Sequence, residues 1–293
     1  MRIMLQVPAG LKTKVTEIVK ELEKDGNTVF VSGENCYGAC DLREGEAKLL
    51  GIDKIIHYGH TRFMRSDIPV EYREIRENID VLKILGTEWE KIKEDKICLI
   101  ASLQFIDNIA EVKKFLEEKG KEVVVPEEID NEKKLYCGQV LGCFHRLKEA
   151  DAYLYIGCGK FHASGKELEG KNVYALDVEK GTIRKVDNSL LEKQKYAAIA
   201  LAKHSKSFGI LISSRRGQFE MKVAEEVKLK LEQIGKEAFL IVMDEFSPDK
   251  LLGVKVDCWV NTACPRIAID NRTNFGQPIV NVDELNIVLS STD

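Results

Sequence analysis

IMLQV at residues 3–7, ICLIASL at 97–103 and GILISS at 209–214 are short apolar runs, each leading into a loop and an amphipathic stretch that ends near glycine. Their recurrence decides the fold. The amphipathic stretches, LKTKVTEIVKELEKDG (11–26), IAEVKKFLEEKG (109–120) and FEMKVAEEVKLKLEQIG (219–235), space their apolar residues as helices do and place glycine where a helix C-terminus needs it. A second apolar run follows each helix: NTVFVSG (27–33), KEVVVPE (121–127) and KEAFLIVMD (236–244). IDKIIHYGH (52–60), ADAYLYIGCG (150–159) and VDCWVNTAC (256–264) read as third strands, and IPVEYREI (68–75), KNVYALDV (171–178) and QPIVNVD (277–283) as fourth strands.

Strands that alternate with helices favour parallel sheets joined by right-handed crossovers. The chain is therefore expected to be α/β, built of three pseudo-threefold-related repeats of a small parallel-sheet, Rossmann-like unit, at residues 1–88, 89–195 and 196–293. ENIDVLKILGTEWEKIKE (77–94) and LLEKQKYAAIALAKHS (190–205) are expected to be the helices that carry the chain from one repeat to the next. No Pro-rich or Gly/Ser-rich linker separates the repeats, so they are expected to pack rather than swing.

The composition narrows the function. With 293 residues, 44% of them hydrophobic and 31% charged, the chain is an ordinary globular protein with no disorder signature. A net charge of −4 provides no basic field, so no direct nucleic-acid contact is expected. The start, MRIMLQVPAG, is too short an apolar run for a signal peptide, and no stretch approaches the roughly 18 residues of a membrane span. A cytoplasmic location is expected.

In that reducing location the eight cysteines should not form a disulfide framework, and no CxxC pair marks a structural zinc site. Cys98 and Cys258 lie within strand-like runs and read as core thiols. GENCYGACDL (33–42) is different, because it places Cys36 and Cys40 in a glycine-containing loop directly after the strand TVFVS, and strand C-terminal ends are where α/β folds bind ligands. Aligning the repeats sets one cysteine apart in each: Cys40, Cys143 in YCGQVLGCFH and Cys264 in NTACPR. They are far apart in sequence. A shared site would need the three repeats to converge, and composition alone allows the alternative of three core thiols.

The words around these cysteines, YGACD (37–41), GQVLGC (138–143) and NTACPR (261–266), together with GCGKFHA (157–163) and SSRRGQ (213–218), closely resemble the 2-(3-amino-3-carboxypropyl)histidine synthase family of diphthamide biosynthesis over essentially the whole chain. That resemblance implies a homodimer of three-domain subunits. It implies that Cys40, Cys143 and Cys264 hold a 4Fe-4S cluster whose fourth iron binds S-adenosylmethionine. It implies radical transfer of the 3-amino-3-carboxypropyl group to imidazole C2 of a histidine in translation elongation factor 2, with an electron donor as a further partner. The CxxxCxxC run of ordinary radical S-adenosylmethionine enzymes is absent; Cys36 and Cys40 supply only a CxxxC. The chemistry agrees, since three thiolates on four irons leave one iron open, and imidazole C2 is a poor nucleophile that a carbon radical can attack directly.

Further candidates are His162, as a proton carrier or a structural residue, and Arg215, Gly217 and Gln218, with arginine suited to bidentate carboxylate recognition. Tyr37 is a candidate pocket residue. His145 adjoins Cys143 without an assigned role, and His57, His60 and His204 read as structural or surface residues. Two rivals stand beside this reading. Quinolinate synthase also resembles a threefold α/β repeat with one cluster cysteine per domain and would make the chain a dehydrating condensation enzyme, although the motif wording matches the diphthamide family instead. A non-enzymatic three-repeat binding scaffold with incidental thiols is the other.

Overall fold

A computed structural model describes residues 1–144 and 146–290; His145 lies outside the described residues. The chain divides into two compact units, Met1–Val186 and the segment from Asp187 onward. No helix among the described residues is long and apolar enough to cross a membrane.

The first unit begins with a parallel sheet of β1 (Arg2–Gln6), β2 (Thr28–Val31), β3 (Lys54–Tyr58) and β4 (Val70–Arg73), in the spatial order β2-β1-β3-β4. Helix α1 (Val15–Glu23) joins β1 to β2, and α2 (Glu44–Leu49) joins β2 to β3. Side chains alternate across a strand, so the single run IMLQV serves two cores. Ile3 and Leu5 pack with Val15, Ile18 and Leu22 of α1, whereas Met4 packs with Ile55 and with Ala47 of α2.

After α3 (Val81–Glu88), the same unit forms a second sheet. Its strands are β5 (Lys96–Ala101) and β6 (Glu122–Val124), joined by α4 (Ile109–Glu118). A small hairpin of β7 (Ile129–Asp130) and β8 (Lys134–Leu135) stands apart, and β9 (Ala152–Gly157), β10 (Val173–Asp177) and β11 (Thr182–Lys185) complete the sheet in the order β6-β5-β9-β10-β11. All its pairings are parallel except β10 with β11. Ile97, Leu99 and Ala101 pack with Val81, Leu85 and Val112, while Cys98 and Ile100 pack on the opposite face.

The second unit carries α5 (Ser189–His204), β12 (Ser207–Ser213), α6 (Met221–Gln233), β13 (Glu237–Met243), β14 (Cys258–Asn261), α7 (Arg266–Asp270), β15 (Ile279–Asn281) and α8 (Val282–Leu289). Its sheet is parallel, in the order β13-β12-β14-β15. Ala198, Ile199 and Ala202 place α5 in the core of this unit, against Leu285 and Val288 of α8. Ile210 and Ile212 face that core, and Leu211 faces the other with Trp259. In each of the three sheets the first strand lies between the second and the third.

Two elements differ from the sequence reading. The stretch 77–94 is not one helix: Asp80 caps the backbone N–H of Lys83 at 3.1 Å, and α3 ends at Glu88 before a short 3-10 turn, Trp89–Lys91. Glu88 stops there because its carboxylate accepts from the Thr182 hydroxyl at 2.6 Å and the Ile183 N–H at 3.0 Å, tying the helix end to β11. Strand β11 itself is an addition, produced by a tight turn at Gly181, whose φ of 62° suits glycine.

Two buried features hold the second unit together. A Cβ built on Gly209 would lie 2.3 Å from the Trp259 ring, so Gly209 on β12 makes room for its register partner on β14. Glu284 accepts from the Asn281 N–H at 2.9 Å, closing the capping box of α8, and from Arg272 at 2.6 Å, while Arg272 also donates to the Ile279 carbonyl at 2.7 Å. Gly209→Ala is expected to cost about 1–3 kcal/mol by overpacking. Arg272→Met should cost about 3–5 kcal/mol by stranding a buried carboxylate, and Arg272→Met/Glu284→Gln should recover part of that loss because a neutral amide keeps the cap. Urea unfolding midpoints measure all three, and an unchanged midpoint for Arg272→Met would contradict a structural role for the pair.

Candidate functional site

Parallel strands deliver the loops after their C-termini to one edge of a sheet, and the three singled-out cysteines lie in such loops or in a turn pinned to such an edge. Cys40 lies between β2 and α2, Cys143 in a turn before β9, and Cys264 between β14 and α7. All three are half-buried, whereas Cys98 and Cys258 are fully buried core thiols, as expected, and Cys137 and Cys158 are exposed. Burial pushes the Cys98 thiol up and the Cys258 thiol up to about 12, which suits inert packing.

One buried primary amide grips the Cys40 turn, another the Cys264 turn, and a third the segment leading to Cys143. Gln6, the last residue of β1, donates to the Asp41 carbonyl at 2.9 Å and accepts from the Arg43 N–H at 3.1 Å, spanning the residues just after Cys40. The guanidinium of Arg43 also pairs with the Asp41 carboxylate at 3.4 Å, both being buried. Asn261, the last residue of β14, donates to the Cys264 carbonyl at 2.9 Å and to Asn281 at 2.8 Å, and accepts from the Ala263 N–H at 3.2 Å. Asn281 in turn donates to the Pro265 carbonyl at 3.2 Å, so the α8 cap and the Cys264 turn form one network. Gln139 accepts from the Tyr136 N–H at 3.0 Å and donates to the Thr61 hydroxyl at 3.0 Å, and its backbone lies beside Ala101 at the end of β5. Val140 donates to the Ala101 carbonyl at 2.9 Å, so the segment leading to Cys143 is pinned to the C-terminal end of β5.

Within the first unit the structure joins two sequence words. The Phe161 ring of GCGKFHA lies over Gly142 of GQVLGC, where a Cβ would come within 2.1 Å of it, and the Leu141 N–H donates to the Phe144 carbonyl at 3.0 Å to close the turn around Cys143. His162 stacks beside Tyr155 with ring centroids 5.8 Å apart, and its Nδ1 lies 3.3 Å from the Tyr155 hydroxyl. Burial pushes the Tyr155 hydroxyl up, so at neutral pH it is a protonated group held against His162 and Ser102.

The other candidates occupy the edges of their sheets. Tyr37 is exposed, beside Cys36 in the loop after β2. Arg215 is buried in the turn after β12, where its guanidinium lies 3.5 Å from Asp244 at the end of β13, and its carbonyl accepts from the Gln218 N–H at 2.9 Å. Gly217 and Gln218 are half-buried in that 3-10 turn. Because β12 and β14 are adjacent and parallel, this turn and the Cys264 turn leave the same edge.

Three residues that the sequence reading left as structural, or gave no role, come together in the first unit. Cys36 Sγ lies 3.9 Å from His57 Nε2, and His57 Nε2 lies 3.0 Å from His60 Nδ1. Burial lowers His57 to about 3, with His60 adding to the effect, and lowers His60 to about 4, so both imidazoles are neutral at pH 7. Burial, helped by Asp41 and Cys40, pushes the Cys36 thiol up to about 12. The signal in the sequence was HYGH, in which glycine between the histidines permits the chain to turn back.

Comparison with known proteins agrees with these motifs. Residues 7–293 match the family described as "Putative diphthamide synthesis protein". The 2-(3-amino-3-carboxypropyl)histidine synthase of Pyrococcus horikoshii is 32% identical over 98% of this chain and 85% of its own length. Subunit 1 of the human 2-(3-amino-3-carboxypropyl)histidine synthase is 30% identical over 98% of this chain and 68% of its own. The crystal structure of Dph2 from Pyrococcus horikoshii superposes with a TM-score of 0.91 at 32% identity, covering 100% of this chain and 87% of that one, and a further structure of it, with a 4Fe-4S cluster, gives the same score. By its motifs, its fold and this match over nearly its whole length, the chain belongs to the diphthamide synthesis protein family.

Proposed function

We propose that this chain is a 2-(3-amino-3-carboxypropyl)histidine synthase that performs the first step of diphthamide biosynthesis, moving the 3-amino-3-carboxypropyl group of S-adenosylmethionine to a histidine of translation elongation factor 2. The observation that carries this reading is the set of three half-buried thiols, each within a family motif, with buried amides holding the Cys40 turn, the Cys264 turn and the segment that leads to Cys143. The donor set fits a 4Fe-4S cluster: Cys40, Cys143 and Cys264 would hold it, and thiolate is its usual ligand. When bound, such a cluster supplies a single electron and an open iron that takes amino and carboxylate groups. The family match leaves no observation favouring the quinolinate synthase or scaffold readings.

The chain's own residues have definable tasks. Arg215 presents a planar fork that suits the carboxylate of S-adenosylmethionine, with Asp244 holding its orientation. Gly217 keeps the following turn narrow, and Gln218 offers an amide donor and acceptor to the ribose or carboxylate. His162, oriented by Tyr155, would take the proton that the accepting imidazole must lose. Tyr37, exposed, would line the entrance.

The same reading includes three pseudo-threefold-related repeats at residues 1–88, 89–195 and 196–293, each contributing one thiol, in support of which the three sheets share a strand order. It also includes a cytoplasmic location, a reducing partner that delivers electrons, and a homodimer. For the dimer, β13 is an edge strand with Phe239 and Val242 about half exposed or more, at 50% and 59%.

Anaerobic, reduced protein should convert S-adenosylmethionine to methylthioadenosine and add the fragment to one histidine of the elongation factor; 5′-deoxyadenosine as the main product, with an unmodified factor, would refute the assignment. Chromatography and mass analysis read both halves. Cys40→Ala, Cys143→Ala and Cys264→Ala should each lose most of the iron, whereas Cys98→Ala should keep it. Asn261→Asp should also lower iron retention, because it turns a donor toward the Cys264 carbonyl into an acceptor, and iron analysis at wild-type loading would contradict that. Light scattering should give twice the chain mass, and a monomer at working concentration would remove the dimer from the reading.

A further inference from the structure

We propose that Cys36, His57 and His60 form a second metal site, separate from the three singled-out thiols, that takes a single borderline-soft divalent ion such as Zn2+. The three residues come from different parts of the first sheet's C-terminal edge. Cys36 follows β2, His57 is the fourth residue of β3, and His60 stands two residues beyond it. Strand alternation would send His60 to the opposite face from His57. Gly59, with φ of 80°, turns the backbone so that His60 folds back onto His57, and a Cβ there would press within 3.2 Å of Pro8. The HYGH word is therefore a device for stacking two imidazole nitrogens.

The donor atoms all lie within 4.8 Å of one another. Bonds of about 2.3 Å to sulfur and about 2.0–2.1 Å to nitrogen, at tetrahedral angles, set S···N near ~3.6 Å and N···N near ~3.3 Å. The observed 3.9 Å and 3.0 Å straddle those separations, so these two pairs require shifts of only a few tenths of an ångström, and the third pair, Cys36 with His60, lies within 4.8 Å. One thiolate with two imidazoles is a zinc donor set, and three protein ligands leave a fourth position open. His57 is 0% exposed and Cys36 is 7% exposed, so these donors are shielded from water, while half-buried His60 leaves a way in.

A second observation points the same way. His57 Nδ1 and the Tyr72 hydroxyl are buried without a hydrogen-bond partner among the described residues, and the two rings lie 5.6 Å apart. A fully buried imidazole lacking one partner and sharing its other nitrogen with a second neutral imidazole is poorly satisfied as a purely structural pair. An ion taking the Nε2 lone pair replaces that shared contact and fixes the His57 proton on Nδ1. Binding replaces the Cys36 thiol proton, which leaves to solvent, and involves no change of oxidation state. The ion would tie the loop after β2 to β3, and that loop carries Cys40 four residues on.

The test uses anaerobically purified, iron-bearing protein, stripped of adventitious ions with a chelator, given one equivalent of zinc sulfate and desalted. Expected are about one zinc per chain and a zinc K-edge absorption shell of one sulfur with nitrogen neighbours. Cys36→Ser, His57→Ala and the half-buried His60→Gln should each cut retained zinc at least tenfold while iron stays at the wild-type level, which also reports that the variants are folded. No zinc retained by the wild type, unchanged zinc in the variants, a shell with several sulfurs, or joint loss of iron and zinc in all three variants would each overturn a separate site. Because zinc is read directly, the result is independent of whether the transferase reading holds.

Discussion

A buried primary amide must satisfy a donor and an acceptor at once, and in this chain that requirement fixes the loops that carry chemistry. Gln6, Gln139 and Asn261 are each buried at or beside the C-terminal end of a parallel strand, and each uses both ends of its side chain. Two of them grip the backbone of a cysteine turn directly. The third holds the segment leading to Cys143 while reaching across to Thr61 in the loop that follows β3. An apolar residue in any of these places would leave backbone groups of an irregular turn without partners, at a cost of about 1–3 kcal/mol each. The sheets supply the edges, and the amides decide where on those edges a thiol stands.

These polar clamps make the turns stiffer than their lack of regular structure suggests. In low dielectric a satisfied network is strong and a broken one is costly, so the arrangement acts nearly all or none. In the second unit it runs from Arg272 through Glu284 and Asn281 to Asn261 and the Cys264 carbonyl. The same residues that start α8 therefore determine how Cys264 is presented. Stability and site geometry are not separable properties there.

The arrangement of strands was legible because parallel strands buried on both faces read as continuous apolar runs, and the four runs of each sheet stood in the same order three times. The half-buried cysteines stood out through motif words and through their position after strands. What the sequence withheld depends on contacts between residues distant along the chain. Nothing local announces that Glu88 would bond to β11, that Phe161 would lie on Gly142, or that Gln6 would reach Asp41. Cys36, His57 and His60 were passed over for the same reason, since two of them look like strand-end histidines until Gly59 turns the chain and brings them to a thiol from the loop after β2.

Each sheet draws its strands from one uninterrupted stretch of chain: the first is complete at Arg73, before β5 begins, and the second at Lys185, before β12 begins. Pairings that close over modest sequence distances form early, and chains fold from the N-terminal side as they are synthesised. On a translating ribosome the first sheet can therefore assemble before the residues of the third exist. Cys40 and Cys143 emerge and take up their turns well ahead of Cys264. Any group needing all three thiols must wait for Cys264, and the two early thiols must be kept reduced in the interval.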